Sequence, residues 1–423
     1  MTQPRHPAGA PDLLEVLRRD SEAAQTAACP FEFDIARADH VEPVRLASGA
    51  TLEAIAGDDT GGTYFLCGNH PARRDLRPVL YADSEGAAGL IADRLGDALE
   101  ILIGLPSWLG LACRPAAGGD EALAGAVAEA EEELREDNPD IEEERGALLA
   151  SLGLRRLPPV DLVHRLRDAL ARTEPCYVLL NAEEGHAYSR LDRAPVPPLS
   201  DTLLAEAAAG LARLRAAPDA GDEAGGGRRA AVLRAAQYDR GDGDAPLLHR
   251  LLEQELAHRQ GGGRTEPDGE LALAAVLLAG HGRLADLPLL GRALDALGAV
   301  PGAGAEQEEV LRWARQTDAA YFGQDRRYED DVVWAGVARR LGLTETARVI
   351  LLHLLDEHQF GRYLEAHDPK LAREEALRTL GVPALTALRD EFSRLGDAWQ
   401  TGRAQRVLDQ ETAWTPRSRT AGL

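Results

Sequence analysis

The chain has 423 residues, enough for two or three domains, and a formal net charge of −23 from 70 Asp and Glu against 47 Lys and Arg. That balance argues against nucleic acid as a partner, because phosphate backbones are bound mainly by Lys and Arg, and no apolar run approaches the roughly 18 residues of a membrane span. No apolar segment follows Arg5 as a secretory signal requires, so a cytoplasmic protein is expected, with its four cysteines (Cys29, Cys67, Cys113, Cys176) reduced and at least partly buried.

Taken in chain order, Asp12 to Cys29 predicts a helix, with Asp12 as its N-cap and Leu13, Leu14 and Leu17 on one face. Short extended segments follow: FEFDI (31–35), VRLAS (44–48), TLEAIAG (51–57), TYFLC (63–67) and PVLYA (78–82). Turn residues separate them, among them the run from Gly57 to Gly62. After Asp83-Ser84-Glu85-Gly86 the period changes, and Ile91, Leu95, Ala98, Leu102 and Leu105 fit one long amphipathic helix. These pieces form a small α+β domain over 1–115, an antiparallel sheet with flanking helices.

Residues 116–200 read as an acidic helical connector. Its helix breaks at Asn138-Pro139 and presents a solvated face, a further helix covers Asp161–Arg172, and a β-hairpin at 176–191 turns at Glu183-Glu184-Gly185. VPPLS and the stretch 218–227 read as linkers. The segment 201–423 reads as a mostly α-helical domain of stacked helix pairs, solenoid-like in outline. Two pairs turn on Gly282 and Gly342, Thr344 serves as an N-cap, and Pro383 to Trp414 forms one or two more helices.

Few residues carry a chemical signature. The run from Gly57 to Gly62 lacks the Gly-Lys-Ser/Thr ending of a phosphate loop and the spacing of a calcium loop. His353 and His358 are five residues apart, which on a helix turns the second ring away from the first. They read as surface histidines, as do His249 and His258. There is no Gly-x-Ser-x-Gly, and Cys29 and Cys67 read as core or near-core. No catalytic, cofactor-binding or metal-ligating residue is assigned, and no cofactor is expected.

The stretch from TYFLC through VLYADSEG to IADRLGDALEILI resembles the SUKH superfamily of small α+β proteins, with Ala82-Asp83-Ser84 leading into a helix that covers the sheet. The resemblance spans residues 10–112, its stronger part 61–108. It implies a non-enzymatic role: many bacterial members look like immunity proteins that bind toxin domains, often nucleases with basic grooves. The expected function is therefore that of a protein-interaction protein with a basic protein partner. Asp58, Asp59, Asp83 and Glu85, near the sheet–helix edge, are the candidate partner-binding residues. A helical-repeat scaffold with an accessory N-terminal domain, and an enzyme of an unrecognised class, are the alternatives.

Overall fold

The computed structural model describes residues 12–69, 74–105, 107–114, 119–193, 198–216, 226–260, 269–299, 306–322, 331–374 and 379–414. The chain divides into two compact units, Met1–Val196 and Pro197–Leu423.

In the first unit, α1 (Leu13–Arg19) and α2 (Ser21–Ala28) replace the single helix expected from 12 to 29. Asp12 caps α1 through Leu14 N as expected, but Asp20 interrupts: its carboxylate accepts from the amides of Glu22 and Ala23 and starts a new helix. FEFDI forms no strand. Phe31 and Phe33 are buried in the core, but Glu32 between them has φ +55°, outside the extended region, and the segment's backbone pairs with the sheet at the Asp34–Gly57 bridge.

Strand β1 (Val44–Leu46) lies outside the main sheet. Strands β2 (Leu52–Gly57), β3 (Thr63–Cys67), β4 (Val79–Ala82) and β5 (Ala87–Ala92) form an antiparallel meander. β5 corrects the expected long helix. Asp83 Oδ1 accepts from the amides of Glu85 (2.9 Å) and Ala87 (2.8 Å), closing a hairpin turn, so residues 87–92 pair back along β4. Helix α3 begins only at Leu95 and ends at Gly104. Ile91 and Leu95 fit helical spacing only because strand and helix both point an apolar residue into the same core.

Side chains alternate across this sheet. Tyr64, Leu66, Val79 and Tyr81 enter the larger core, and Phe65, Cys67, Leu80 and Ala82 the smaller one. Both faces are covered, which is why β3, β4 and β5 are buried along their whole length. The larger core is closed by α3, α4 (Trp108–Cys113), α5 (Gly119–Asp137), α6 (Ile141–Leu152) and α7 (Pro159–Leu170).

The acidic segment is therefore no connector. It breaks at Asn138-Pro139 as expected, yet Leu123, Val127, Leu148, Leu149, Leu162 and Leu166 are buried in the core that contains Tyr64 and Tyr81. The first unit thus extends well beyond residue 115. The expected hairpin exists and serves both sheets: β6 (Leu179–Asn181) pairs antiparallel with β1, and β7 (Ser189–Arg190) adds to β5 in parallel.

Described residues of the second unit are helical, from α8 (Leu199–Ala216) and α9 (Gly226–Tyr238) through α10 (Ala245–Gln260), α11 (Gly269–Ala279), α12 (Leu287–Leu297) and α13 (Gln307–Thr317). They continue through α14 (Asp331–Arg340), α15 (Thr344–His367), α16 (Pro369–Glu374), α17 (Val382–Arg394) and α18 (Ala398–Trp414). Neighbours in sequence pair: α8 with α9, α10 with α11, α14 with α15, α17 with α18. The expected turns hold, with Gly282 and Gly342 at φ +63° and +79°.

Three details differ. Thr344 opens α15 without capping it. Gly226 and Gly227, expected in a linker, start α9, and Leu199 and Ser200 of VPPLS start α8; the rest of the first stretch, 218–225, lies outside the described residues, as do residues 196 and 197 of VPPLS and the tail 415–423. The solenoid outline is also replaced: α9 packs on α11 and α14, and α8 reaches α14 and α15, so the helices close on themselves instead of touching only neighbouring repeats. Among the described residues, no helix is long and apolar enough to cross a membrane.

Candidate functional site at the acidic end of the sheet

The β2–β3 loop and the β4–β5 turn meet at one end of the main sheet, where Ser84 Oγ donates to the Thr60 carbonyl at 3.1 Å. Each turn is built on one aspartate. Asp58 Oδ1 accepts from Thr60 N, Thr60 Oγ1 and Gly62 N, each at 2.8 Å, and Oδ2 accepts from the Tyr81 hydroxyl at 2.6 Å. Gly62 is required here, since a Cβ would lie 2.1 Å from the Tyr81 hydroxyl and 2.5 Å from Asp58 Oδ2. Burial first, then the bond to Asp58, pushes the Tyr81 phenol well above its ordinary pKa. Asp83 organises the second turn, as described above.

The four candidate residues are thus brought to one place but play two roles. Asp58 is 5% exposed and hydrogen-bonded through both oxygens, so it holds the loop and presents no free carboxylate. Asp83 is half-buried and bonded to its own turn. Asp59 and Glu85 point to solvent.

The chain before β1 adds residues that sequence reasoning missed. Arg37 pairs with Asp34 (3.3 Å) and Asp59 (3.0 Å) and donates to the Asp58 carbonyl, tying 34–37 to the loop. The Glu32 carboxyl is raised in pKa, first by partial burial and then by Asp58 and Asp59. The acidic letters of FEFDI were the available signal, but that segment reads as a strand. His40, from the same segment, contacts β3 and the hairpin.

A second charged region is a cleft of about 530 Å³ between the end of β5, α3 and α7. Its buried carboxylate, Glu100, is satisfied from within: Arg155 reaches it through N, Nε and Nη2 (each 3.1 Å) and Arg165 through Nη1 (3.2 Å). These contacts join α3 to the α6–α7 connection and to α7, and satisfy Glu100.

Cysteine and histidine positions correct two expectations. Cys29 is exposed, and only Cys67 of the four is buried, with its thiol pushed up to about 12 by burial. His358 is buried, its Nδ1 accepting from Leu380 N at 2.9 Å. Among the described residues, no group of three or more His, Cys, Asp or Glu is placed to hold a metal ion. The acidic end offers hydrogen-bond acceptors and negative charge, the complement of arginine and lysine side chains. No protein-family profile matches the chain, and comparison with curated proteins and with solved structures returns no match.

Proposed function

We propose that this is a non-enzymatic protein-interaction protein whose N-terminal unit holds a basic protein partner at the acidic end of its sheet. One observation carries the reading. The two turns are locked side by side by buried or half-buried aspartates, which leaves Asp59 and Glu85 as fixed, solvent-facing anions. Pre-ordered turns lose little entropy when a partner binds. The SUKH resemblance of residues 61–108 makes an immunity-type role, with a toxin domain as the partner, the specific form of this proposal.

The test uses the full-length protein as bait at low and high salt. A basic partner captured at low salt should be released at high salt, because exposed charge pairs are screened over about 10 Å at 0.1 M ionic strength. Asp59→Lys combined with Glu85→Lys should abolish capture while lowering the melting midpoint only slightly, since the one ion pair lost, Arg37–Asp59, is exposed. Capture that survives the double variant overturns the reading.

The helical unit supports a second reading, that of a scaffold. Phe360 and Tyr363 are 53% and 58% exposed three residues apart on α15, an apolar surface that the bundle does not cover. Capture through that surface should resist salt and be lost in Phe360→Ser combined with Tyr363→Ser.

A further inference from the structure

His40 lies over the sheet face that carries the smaller core, edge-on to Phe65 with ring centroids 5.5 Å apart. Its Nδ1 is 3.0 Å from Thr63 Oγ1 on β3, and its Nε2 is 3.1 Å from the Tyr188 hydroxyl on the hairpin. The protons in this chain can be counted. Thr63 donates its hydroxyl proton to the Asp39 carbonyl at 2.9 Å, and a carbonyl can only accept. The Thr63 oxygen must therefore receive the proton of His40 Nδ1. Tyr188 donates to Glu42 Oε1, and Glu42 Oε2 accepts from Asn181 Nδ2 at 2.7 Å.

A phenol has one proton. With Glu42 ionised and Tyr188 donating to it, Nε2 of His40 must also be a donor, and the imidazole carries a charge. When His40 is neutral, Nδ1 keeps its proton and Nε2 becomes an acceptor. The single Tyr188 proton then serves Nε2 or Glu42, but not both.

We infer that His40 is a proton-operated switch that redirects the Tyr188 hydroxyl between Glu42 and its own Nε2, and passes the change through Asn181 to the hairpin turn at Glu183-Glu184. The last link is one side chain: Asn181 Nδ2 holds Glu42 while its Oδ1 accepts from the amides of Glu183 and Glu184, both at 2.8 Å. The charged groups facing His40 are Glu42 on its own segment and Asp83 from the β4–β5 turn. Burial, the largest influence, lowers its pKa and outweighs the two carboxylates, which raise it, so the switch operates below the ordinary histidine range. At the far end, His186 pairs with Glu184 at 3.1 Å, a second imidazole beside the same turn.

The test is nuclear magnetic resonance on the full-length protein in a His186→Gln background, which removes that second imidazole. The ring nitrogens of His40, assigned by their loss in His40→Gln, and the amides of Glu183 and Glu184 are followed from about pH 5 to 8. Both amides should move with the midpoint of His40, and that midpoint should lie below about 6.5. In Tyr188→Phe the amides should stop following His40 while the ring still titrates. Amides that stay still through the His40 transition overturn the inference, and so do amides that follow it unchanged without the phenol. The comparison of midpoints within the His186→Gln protein decides the matter even if the phenylalanine variant does not fold.

Discussion

The loop aspartate Asp58 gives the sharpest test of how the acidic end is built. Replacing it by Ala leaves two buried donors without an acceptor, Gly62 N at 2.8 Å and the Tyr81 hydroxyl at 2.6 Å. Each orphaned buried donor costs about 1–3 kcal/mol. The two bonds from Thr60 add little, because Thr60 is exposed and water replaces the carboxylate there. Asp58→Ala should therefore destabilise the first unit by about 2–6 kcal/mol, taking the sum of the two buried losses. Asp58→Asn keeps an oxygen for the loop amides and can turn its NH2 towards the Tyr81 oxygen, so about 1 kcal/mol is expected. The chain has two units and need not unfold in one step, so the assay is native-state hydrogen exchange at amides of β3 and β4. Equal losses for Asn and Ala, or a loss below about 1 kcal/mol for Ala, would refute the account of Asp58 as the acceptor on which the loop is built.

Two further outcomes concern the helical unit. A Cβ on Gly227 would sit 2.3 Å from the Arg340 carbonyl oxygen, a backbone atom that cannot swing aside, whereas a Cβ on Gly226 meets only the Arg229 side chain at 3.6 Å. Gly227→Ala should lower the thermal midpoint through overpacking of about 1–3 kcal/mol, and Gly226→Ala should leave it level or raise it. Burial lowers the pKa of His358, with Glu411 opposing, so the unfolded chain takes up a proton near pH 6.5 that the folded unit resists. Stability of this unit should fall as pH drops below about 6.5 and level off beneath the folded pKa, and His358→Gln should flatten that part of the curve of midpoint against pH.

The fold class was legible because its signals are local. Apolar clusters between turn residues gave β2, β3 and β4, and the helices of the second unit followed from their leucine and alanine stripes. Where the reading failed, tertiary structure decided. The spacing reads the end of β5, Ile91, into the helix because a buried strand and a buried helix both appear as unbroken apolar runs, and the pairing of β5 with β4 is not written in that spacing. The helices at 119–170 were separated from the sheet because their solvent face carries most of the letters, while a sparse set of leucines and valines makes the contact. The site was half legible: the two acidic turns are visible in the sequence, but not that they touch through Ser84 and Thr60, nor that Arg37 ties the 34–37 segment to the first of them.

The same distinction bears on how a net charge of −23 should be read. Many of the acids are part of the architecture. Asp12 and Asp20 start helices, Asp58 and Asp83 close turns, and Glu100 and Glu131 are buried against Arg155 and Arg145. Such carboxylates are already solvated by protein donors and offer a partner little. What remains for long-range attraction is the set held in solvent with incomplete compensation, and Asp59 and Glu85 belong to it because their neighbours in sequence do the structural work. A charge-reversal scan should accordingly separate the two populations: changes at Asp58 or Glu100 should show first in stability, and changes at Asp59, whose pair with Arg37 is exposed, or at Glu85 chiefly in the rate and salt dependence of association.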